Sequence, residues 1–424
     1  MKCHLINLGC KVNAYETEST AQMLEAEGFE RTGSMADADV TVIFTCAVTN
    51  TAAAKSRKQI HRARRANPNG VIAVAGCYSQ IEPDALEEAD ILIGSAHKPL
   101  LVQYIKQFLR DRIPLRDVTD LSGIAFEPMY AARFAERTRA FLKIQDGCNQ
   151  FCTYCVIPYA RGRERSLAPD DVIREVKCLS EVHKEIVLAG IHTGRYGREH
   201  GVTLTGLLKR ILREVPELKR IRISSIEVTE LSDEFLELLA AEPRIARHLH
   251  VPVQSGCDTV LARMGRPYTT DQYYAMLERI RTLIPDISIS TDLMVGFPGE
   301  TDEEFEATLA FLRKCRFSFL HVFPYSLRRG TAAEQLPDHC TPEVKKERTA
   351  VCLAESERLY EAYVRSLLGH QAEVLMETET RGYTSEYVEV VTDHPCEKGT
   401  MVNVTICGYH DGIADAKEND FETE

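Results

Sequence analysis

The strongest constraint on the fold is a regular alternation of strand-like and helical segments through the middle of the chain. Six short apolar runs have the length of buried strands, and helical segments separate them. The strand candidates are 141–144, 185–188, 220–224, 248–253, 288–294 and 319–323. Because crossovers between parallel strands are right-handed, these units predict a partial or full (βα)6 barrel resembling a TIM barrel, over residues 139–369.

Two further regions flank the predicted barrel. Residues 1–110 also alternate, which predicts an open parallel α/β sheet; its strand candidates are 3–10, 40–45, 71–75 and 91–93, and its helix candidates are 16–27, 52–66 and 100–109. Residues 111–138 show little periodicity and predict a linker. After a long helix at 343–368, short strands at 372–377, 387–391 and 401–406 predict a small β-barrel over residues 370–424. The fold class is α/β.

Composition narrows the function classes. The formal net charge is −12, which excludes a wholly basic nucleic-acid coat protein but leaves room for a local basic face. No run approaches the roughly 18 apolar residues of a membrane span, and the N-terminus does not read as a signal peptide, so we expect no membrane association and a cytoplasmic location. Fourteen cysteines are many for such a protein, which indicates that some of them bind metal.

Three of these cysteines form a short loop after the first barrel strand. Cys148, Cys152 and Cys155 have C-x3-C-x2-C spacing, which lets three thiolates meet. A [4Fe–4S] cluster held by three cysteines leaves one iron open for a ligand, whereas a structural zinc ion usually takes four protein ligands. A zinc loop with a distant fourth ligand is the alternative. The spacing and the barrel pattern together resemble the radical S-adenosylmethionine (SAM) superfamily.

A second set of three cysteines lies in the N-terminal region. Cys10, Cys46 and Cys77 each follow a predicted strand. Since the carboxyl ends of parallel strands meet at one edge of a sheet, these three thiols are expected to hold a second cluster. The alternative is three unrelated buried cysteines, each at a strand end by accident.

Together, the domain order and several motifs resemble the radical SAM methylthiotransferase family over nearly the whole chain. The motifs are LGCKVNAYET (8–17), TCAVTN (45–50), GCNQFCTYC (147–155), RGRERS (161–166), HVPVQSG (250–256) and MVGFPGET (294–301). One departure is Leu167, where the family often has arginine, so no role is carried over to that position. The last domain looks like the TRAM domain that this family uses to hold RNA.

The resemblance implies an enzyme with two [4Fe–4S] clusters and two uses of SAM, as methyl donor and as radical source. The six cysteines hold the auxiliary cluster (Cys10, Cys46, Cys77) and the radical cluster (Cys148, Cys152, Cys155), and both clusters are expected to face one cavity between the first two domains. A low-potential electron donor and a sulfur donor are the implied partners. From their places in the radical loop and at strand ends, the expected SAM contacts are Tyr154, Gly190, Ser225, Glu227, Gln254 and Met294, although such residues are more often turn caps or packing residues.

The motif Gly-Cys-Lys-Val-Asn resembles the branch that modifies N6-threonylcarbamoyladenosine at position 37 of tRNA. Alternatives are methylthiolation of isopentenyladenosine 37 or of a ribosomal-protein aspartate. An alternative of another class is a zinc-containing RNA-binding module without catalysis.

Basic residues predict where the tRNA anticodon stem-loop binds. The candidates for phosphate contacts are Lys55, Arg57, Lys58, Arg62, Arg161 and Arg163. The last domain fits RNA poorly by charge, because residues 371–424 hold 13 Asp and Glu but only 3 Lys and Arg. Tyr383 and Tyr387 are the candidates there for stacking on bases.

Overall fold

The computed structural model describes residues 1–135 and 137–419, so most of the acidic run at 418–424 lies outside the described residues. The N-terminal region is a six-stranded, wholly parallel sheet with the order β2-β1-β3-β4-β5-β6. Its strands are β1 (Lys2–Asn7), β2 (Glu30–Arg31), β3 (Val40–Thr45), β4 (Val71–Gly76), β5 (Ile91–Ile93) and β6 (Leu115–Asp117). Its helices are α1 (Lys11–Ala26), α2 (Asn50–Ala66), α3 (Cys77–Ile81) and α4 (Leu101–Asp111). The predicted open parallel sheet is confirmed.

Several boundaries differ from the sequence prediction; the predicted strand at 3–10 ends at Asn7, and β2 was not predicted. Helix α1 begins at Lys11 rather than at residue 16, because its first turns are buried under the barrel and follow Cys10 directly. Strand β6 lies in the segment predicted as a linker, where it pairs with β5 through only three residues. The domain boundaries themselves stay a prediction.

The central region is a curved sheet of six parallel strands in chain order. The six strands are β7 (Arg139–Lys143), β10 (Glu185–Ala189), β11 (Arg220–Ile223), β12 (His248–His250), β13 (Ser288–Val295) and β14 (Phe319–Pro324). Between β7 and β10 in the chain, β8 (Gln145–Asp146) and β9 (Arg165–Ser166) form a separate antiparallel pair. Single bridges, one of them between Ser225 and His250, join the β7-β10-β11 half to the β12-β13-β14 half. No pairing joins β14 to β7 in the residues described, so the predicted partial barrel is confirmed, with one open side.

Helices cover the outside of this barrel. They are α5 (Ile157–Arg161), α6 (Pro169–Ser180), α7 (Leu204–Glu214), α8 (Asp233–Ala241), α9 (Asp258–Arg263), α10 (Thr270–Leu283), α11 (Asp302–Cys315) and α12 (Pro342–Ser366). Their apolar faces form one core with the strands, in which Leu188, Leu207 and Leu277 are wholly buried. Among the helices in the described ranges, none combines the length and the apolar character needed to cross a bilayer.

The C-terminal region is a closed five-stranded barrel, as predicted for a TRAM-like domain. Its strands are β15 (Gln371–Met376), β16 (Arg381–Thr384), β17 (Glu389–Thr392), β18 (Met401–His410) and β19 (Ile413–Glu418). It is seated against the amino-terminal ends of β10 and β11. There Arg220 donates to the carbonyl of Glu373 at 2.7 Å, and Arg222 donates to the carbonyl of Ser385 at 2.9 Å. The small barrel is therefore part of the wall of the larger one.

A buried carboxyl group where α1 meets α6 leads to a prediction about stability. Glu175 lies on α6 with an oxygen 3.4 Å from the Tyr15 hydroxyl, and burial raises its pKa to about 7. The folded state therefore holds this proton more tightly than the unfolded chain does, so stability is lost as pH rises from about 4.5 through 7. We expect Glu175→Gln to be more stable than the parent at pH 8, by up to about 3 kcal/mol, and equal to it near pH 4.

Melting temperatures at pH 4 and pH 8 measure this effect. Glu181→Gln is the matched control, because that side chain follows the same helix and is exposed. A Glu175→Gln variant with the same advantage at both pH values would show that ionisation of Glu175 is not the cause.

Candidate metal centres and their surroundings

The three N-terminal cysteines follow three neighbouring strands of the first sheet. Cys10 precedes α1 after β1, Cys46 follows β3, and Cys77 begins α3 after β4. Because β1, β3 and β4 are adjacent and parallel, their carboxyl ends bring the thiols to one edge. Burial and then the charge of Cys77 raise the pKa of Cys46 to about 11.

Gly76 shapes the backbone just before Cys77. Its φ is +116°, and a Cβ atom there would lie 2.7 Å from the carbonyl oxygen of Thr45. Only glycine tolerates both the conformation and the approach. The turn from β4 into α3 therefore depends on Gly76, and it sets Cys77 beside the end of β3.

The loop with Cys148, Cys152 and Cys155 is held by backbone hydrogen bonds on both sides. The Cys148 amide donates to the carbonyl of Gly162 at 3.1 Å, and the Thr153 amide donates to the carbonyl of Met264 at 3.0 Å. Burial raises the pKa of Cys155 to about 12. Such buried thiols need a metal or a cation beside them to be held as thiolates.

Each cysteine set has a buried guanidinium beside one of its thiols. Arg161 Nε lies 3.1 Å from Cys77 Sγ, and Arg266 Nη1 lies 3.3 Å from Cys152 Sγ. Hydrogen bonds to cluster sulfurs are one means by which a protein tunes such centres. The donor sets, of three thiols and one buried cation each, fit iron–sulfur clusters. Among residues 1–135 and 137–419, no three His, Cys, Asp or Glu side chains are grouped so as to hold a single metal ion. The thiolates of a [4Fe–4S] cluster bind different irons and need not converge on one ion.

Glu16 and Asp146 form a buried charge network with Lys98, Lys143, Arg161 and Arg165. Glu16 Oε1 lies 2.9 Å from Lys98 Nζ, 2.8 Å from Lys143 Nζ and 3.1 Å from Arg161 Nη1. Although burial raises the pKa of Glu16, the positive charge of Arg161 and the two lysines lowers it well below its usual value. Four cations against two carboxylates leave positive charge in excess beside Cys77, which suits thiolates bound to a cluster.

This network also joins the first sheet to the barrel. Glu16 and Lys98 belong to the sheet region, whereas Lys143, Asp146 and Arg161 come from the barrel. The Arg161 side chain by itself contacts residues of both regions, namely Glu16, Asp146 and Cys77. Helix α3, which begins with Cys77, thereby packs against α5, which ends with Arg161. Cys148 of the second set lies two residues after Asp146 of the network.

The structure contradicts one prediction about RNA. Arg161 is 0% exposed, and its guanidinium is used by the buried charge network. The prediction that it contacts RNA phosphate is therefore wrong, because its partner Glu16 lies 145 residues earlier in the chain and the contact was not foreseen. Arg163, two residues later, is exposed and lies with its guanidinium carbon 4.7 Å from the ring centre of Phe151.

The other predicted RNA contacts lie on α2. Lys55, Lys58 and Arg62 are exposed, whereas Arg57 is half-buried with its guanidinium over the ring of Tyr78, 5.6 Å from the ring centre. Tyr78 directly follows Cys77, so this basic helix borders the N-terminal cysteine set. Their contacts with RNA stay a prediction.

The predicted SAM contacts lie at the carboxyl ends of the barrel strands, as expected from their sequence positions. Tyr154 and Met294 share an apolar cluster with Phe297, and the Tyr154 and Phe297 rings meet edge to face at 6.5 Å. Gln254 adopts a φ of +67° and forms a bridge with Leu293.

The remaining three predicted contacts lie elsewhere along that edge. Gly190 follows β10 beside Gln145, and Ser225 forms a bridge with His250. Glu227 forms an ion pair with Arg266, the residue that donates to Cys152. Sequence reasoning missed Arg266, since nothing in the spacing around it signals a contact with a loop more than a hundred residues earlier.

Comparisons with known proteins agree with this architecture. Residues 142–312 match the family model described as the radical SAM superfamily, and residues 2–94 match the one described as uncharacterized protein family UPF0004. A radical SAM methyltransferase from Kitasatospora setae, solved with cobalamin and a [4Fe–4S] cluster, is similar with a TM-score of 0.56 and 16% identity, covering 76% of this chain and 74% of the other. At that identity the similarity concerns the fold.

Full-length relatives are more similar in sequence. A threonylcarbamoyladenosine tRNA methylthiotransferase of Bacillus subtilis is 42% identical over 95% of this chain and 93% of its own length. Its counterpart in Aquifex aeolicus is 34% identical, over 96% and 100%. A tRNA-2-methylthio-N6-dimethylallyladenosine synthase of Pelotomaculum thermopropionicum is 34% identical, over 96% and 95%.

Proposed function

Because the chain belongs to the radical SAM tRNA methylthiotransferase family, we propose that it converts N6-threonylcarbamoyladenosine 37 of tRNA to its 2-methylthio derivative. The observation that carries this proposal is the junction of the two cysteine sets. Three thiols follow β1, β3 and β4, and three more follow β7. Arg161 contacts Cys77 of the first set and Asp146, which lies two residues before Cys148 of the second. A reaction that needs both sets at one substrate is supported by this arrangement.

The six cysteines divide into two groups of ligands. Cys148, Cys152 and Cys155 hold the radical cluster, and Cys10, Cys46 and Cys77 hold an auxiliary cluster. When bound, the clusters and SAM would supply the methyl group, the sulfur and the radical that are needed to replace the hydrogen of an unactivated C–H bond with a methylthio group, a step beyond the reach of a side-chain base.

The chain's own residues keep these groups in place and in the right charge state. Arg161 and Arg266 donate to one thiolate of each set, and the excess positive charge of the buried network offsets the negative charge of the ligands. Burial of Glu16 and Asp146 keeps water away from the junction. A low-potential electron donor and a sulfur donor complete the reaction as partners from outside the chain.

The proposed RNA partner is the anticodon stem-loop of the tRNA. Exposed Lys55, Lys58 and Arg62 on α2 supply charges for its phosphates beside the Cys77 edge. The base at position 37 lies in a single-stranded loop, so leaving its stack to enter the site costs little.

An inventory of modified adenosines by mass spectrometry tests the proposal. We expect tRNA from cells that lack their own methylthiotransferases to gain the 2-methylthio form of threonylcarbamoyladenosine when this protein is produced. The same group on isopentenyladenosine would move the protein to the neighbouring branch, to which the Pelotomaculum relative belongs by name. No new nucleoside from iron-loaded protein would direct attention to a protein substrate, and colourless protein with zinc would favour the non-catalytic alternative.

A further inference from the structure

A cavity of about 720 Å³ lies in the open side of the larger barrel. Strand residues such as Phe141 and Ser290 line it on one side, and Tyr383 and Tyr387 of the small barrel line it on the other. Lys11, which follows Cys10, lines it as well. None of the six cysteines and none of the six predicted SAM contacts is part of its lining. The cavity therefore adjoins the auxiliary cysteines but is distinct from the expected SAM positions.

The charge of the cavity is predominantly positive. Lys11, Arg137, Arg139 and Arg222 line it, against the carboxylates of Glu357 and Glu389. Burial and then the charge of Arg222 hold the pKa of His248 well below its usual range, with further contributions from its cationic neighbours. Burial is the larger cause, and the cationic neighbours that add to it are the side chains that give the cavity its positive charge.

Lys11 has no carboxylate partner, whereas Arg139 and Arg222 in the same cavity wall each have one. Arg139 pairs with Glu377 at 2.6 Å, and Arg222 pairs with Glu185 at 2.7 Å. No carboxylate lies within 4.0 Å of Lys11 Nζ in the part of the chain that the structure describes. Its ammonium group is therefore available to an anion that enters the cavity.

Planar groups form the wall beside this cation. The Tyr387 ring stacks on Tyr383 and on His248, with ring centres 5.1 Å apart in each pair. The guanidinium carbons of Arg139 and Arg222 lie 5.2 and 4.8 Å from the centre of the same ring. These contacts fix the wall of the cavity, so the small barrel shapes the site directly.

Resting on the proposed function, we propose that this cavity receives the N6 side chain of the substrate adenosine and that Lys11 binds its carboxylate. The threonylcarbamoyl group ends in a carboxylate, whereas an isopentenyl group carries no charge. Lys11 is one residue from Cys10, so an adenine presented to the auxiliary cysteines has its N6 substituent within reach of the cavity. The volume is in the range of small-molecule sites. Lys11 is thus a specificity-determining residue.

Binding of three anticodon stem-loops to the cluster-loaded protein tests this assignment. They carry at position 37 adenosine, threonylcarbamoyladenosine, or the methyl ester of threonylcarbamoyladenosine, which has nearly the same size but no charge. We expect the parent protein to bind the acid at least about 10-fold more tightly than the ester, as for a charge-assisted hydrogen bond. Fluorescence anisotropy at one fixed salt concentration measures the ratio.

Substitutions of Lys11 test whether this residue causes the preference for the acid over the ester. Lys11→Gln is expected to bring the acid-to-ester ratio close to one, and Lys11→Arg to keep most of it. The matched control is Lys106→Gln. It removes one positive charge from an exposed position on α4, where Lys106 pairs with Glu27. That variant should bind like the parent. Iron content is measured for each variant, because position 11 adjoins a cluster ligand.

Two results would overturn the assignment. One is a ratio near one for the parent protein, which needs no variant and stands even if Lys11→Gln loses iron. The other is an unchanged ratio in iron-loaded Lys11→Gln. Either result, together with formation of the 2-methylthio product by the parent, would leave the proposed function intact. Methylthiolation of isopentenyladenosine alone would instead overturn the function.

Discussion

Replacement of Cys77 by alanine is expected to abolish methylthiolation of tRNA while leaving the cleavage of SAM to 5′-deoxyadenosine intact. Cys77 is buried at the end of β4 and belongs to the N-terminal set, whereas the three cysteines after β7 are untouched by the change. A cluster held by three thiolates does not survive the loss of one of them at full occupancy. Nucleoside mass spectrometry measures the loss of methylthiolation, and an assay of 5′-deoxyadenosine measures the cleavage of SAM. The iron content is expected to be half that of the parent.

Two other cysteines serve as controls for this experiment. Cys178→Ala removes a half-buried thiol on α6 that belongs to neither set, and it should keep both activities. Cys155→Ala should lose both, because it removes a ligand of the radical cluster. Product formation by Cys77→Ala at the parent rate would rule out the auxiliary cluster as assigned.

Arg161→Leu is expected to lower the free energy of unfolding by about 3–5 kcal/mol, the cost of leaving buried charge without its partner. The guanidinium is 0% exposed and contacts Glu16, Asp146 and Cys77, so a leucine there leaves two carboxylates with fewer cations and one thiol without its donor. Arg161→Lys retains the charge but reaches fewer of these partners. We expect its free energy of unfolding to lie between those of the parent and of Arg161→Leu. Chemical denaturation followed by circular dichroism measures the series.

Arg163→Leu is the matched control for that series. It removes the same group two residues away from an exposed position, where substitutions change stability by about 0.5 kcal/mol or less. If Arg161→Leu and Arg163→Leu destabilise equally, the buried charge network does not hold the two regions together.

Local patterns were enough to predict most, but not all, of the helices and strands. The runs 40–45 and 91–93 are strands with the predicted bounds, since each is wholly buried and apolar or β-branched. In the small barrel, β16 and β19 were missed. The segments Arg381–Thr384 and Ile413–Glu418 alternate between buried and half-buried or exposed residues, with polar and glycine positions that read as turns. Closure of the barrel, rather than local propensity, makes them strands.

The candidate site was predictable only where spacing carries the signal. Sheet topology brings Cys10, Cys46 and Cys77 together at the ends of three strands. Short spacing within one loop does the same for Cys148, Cys152 and Cys155. The contacts of Arg161 with Glu16 and of Arg266 with Cys152 span more than a hundred residues, and no local pattern encodes them. Likewise, the exposed-looking Tyr383 and Tyr387 were predicted to meet RNA bases, but in the structure they stack on each other. Their contact with RNA stays a prediction.

The position of the small barrel in the chain has a consequence for the order of events during synthesis. Strands β15 to β19 are translated last, yet Tyr383 and Tyr387 form one wall of the cavity beside Lys11. Since domains fold in turn as the chain leaves the ribosome, the larger barrel stands open at its side until the final residues emerge. A ribosome stalled before residue 370 would therefore carry a larger barrel whose cavity lacks its tyrosine wall, and this cavity is completed only after the small barrel has folded.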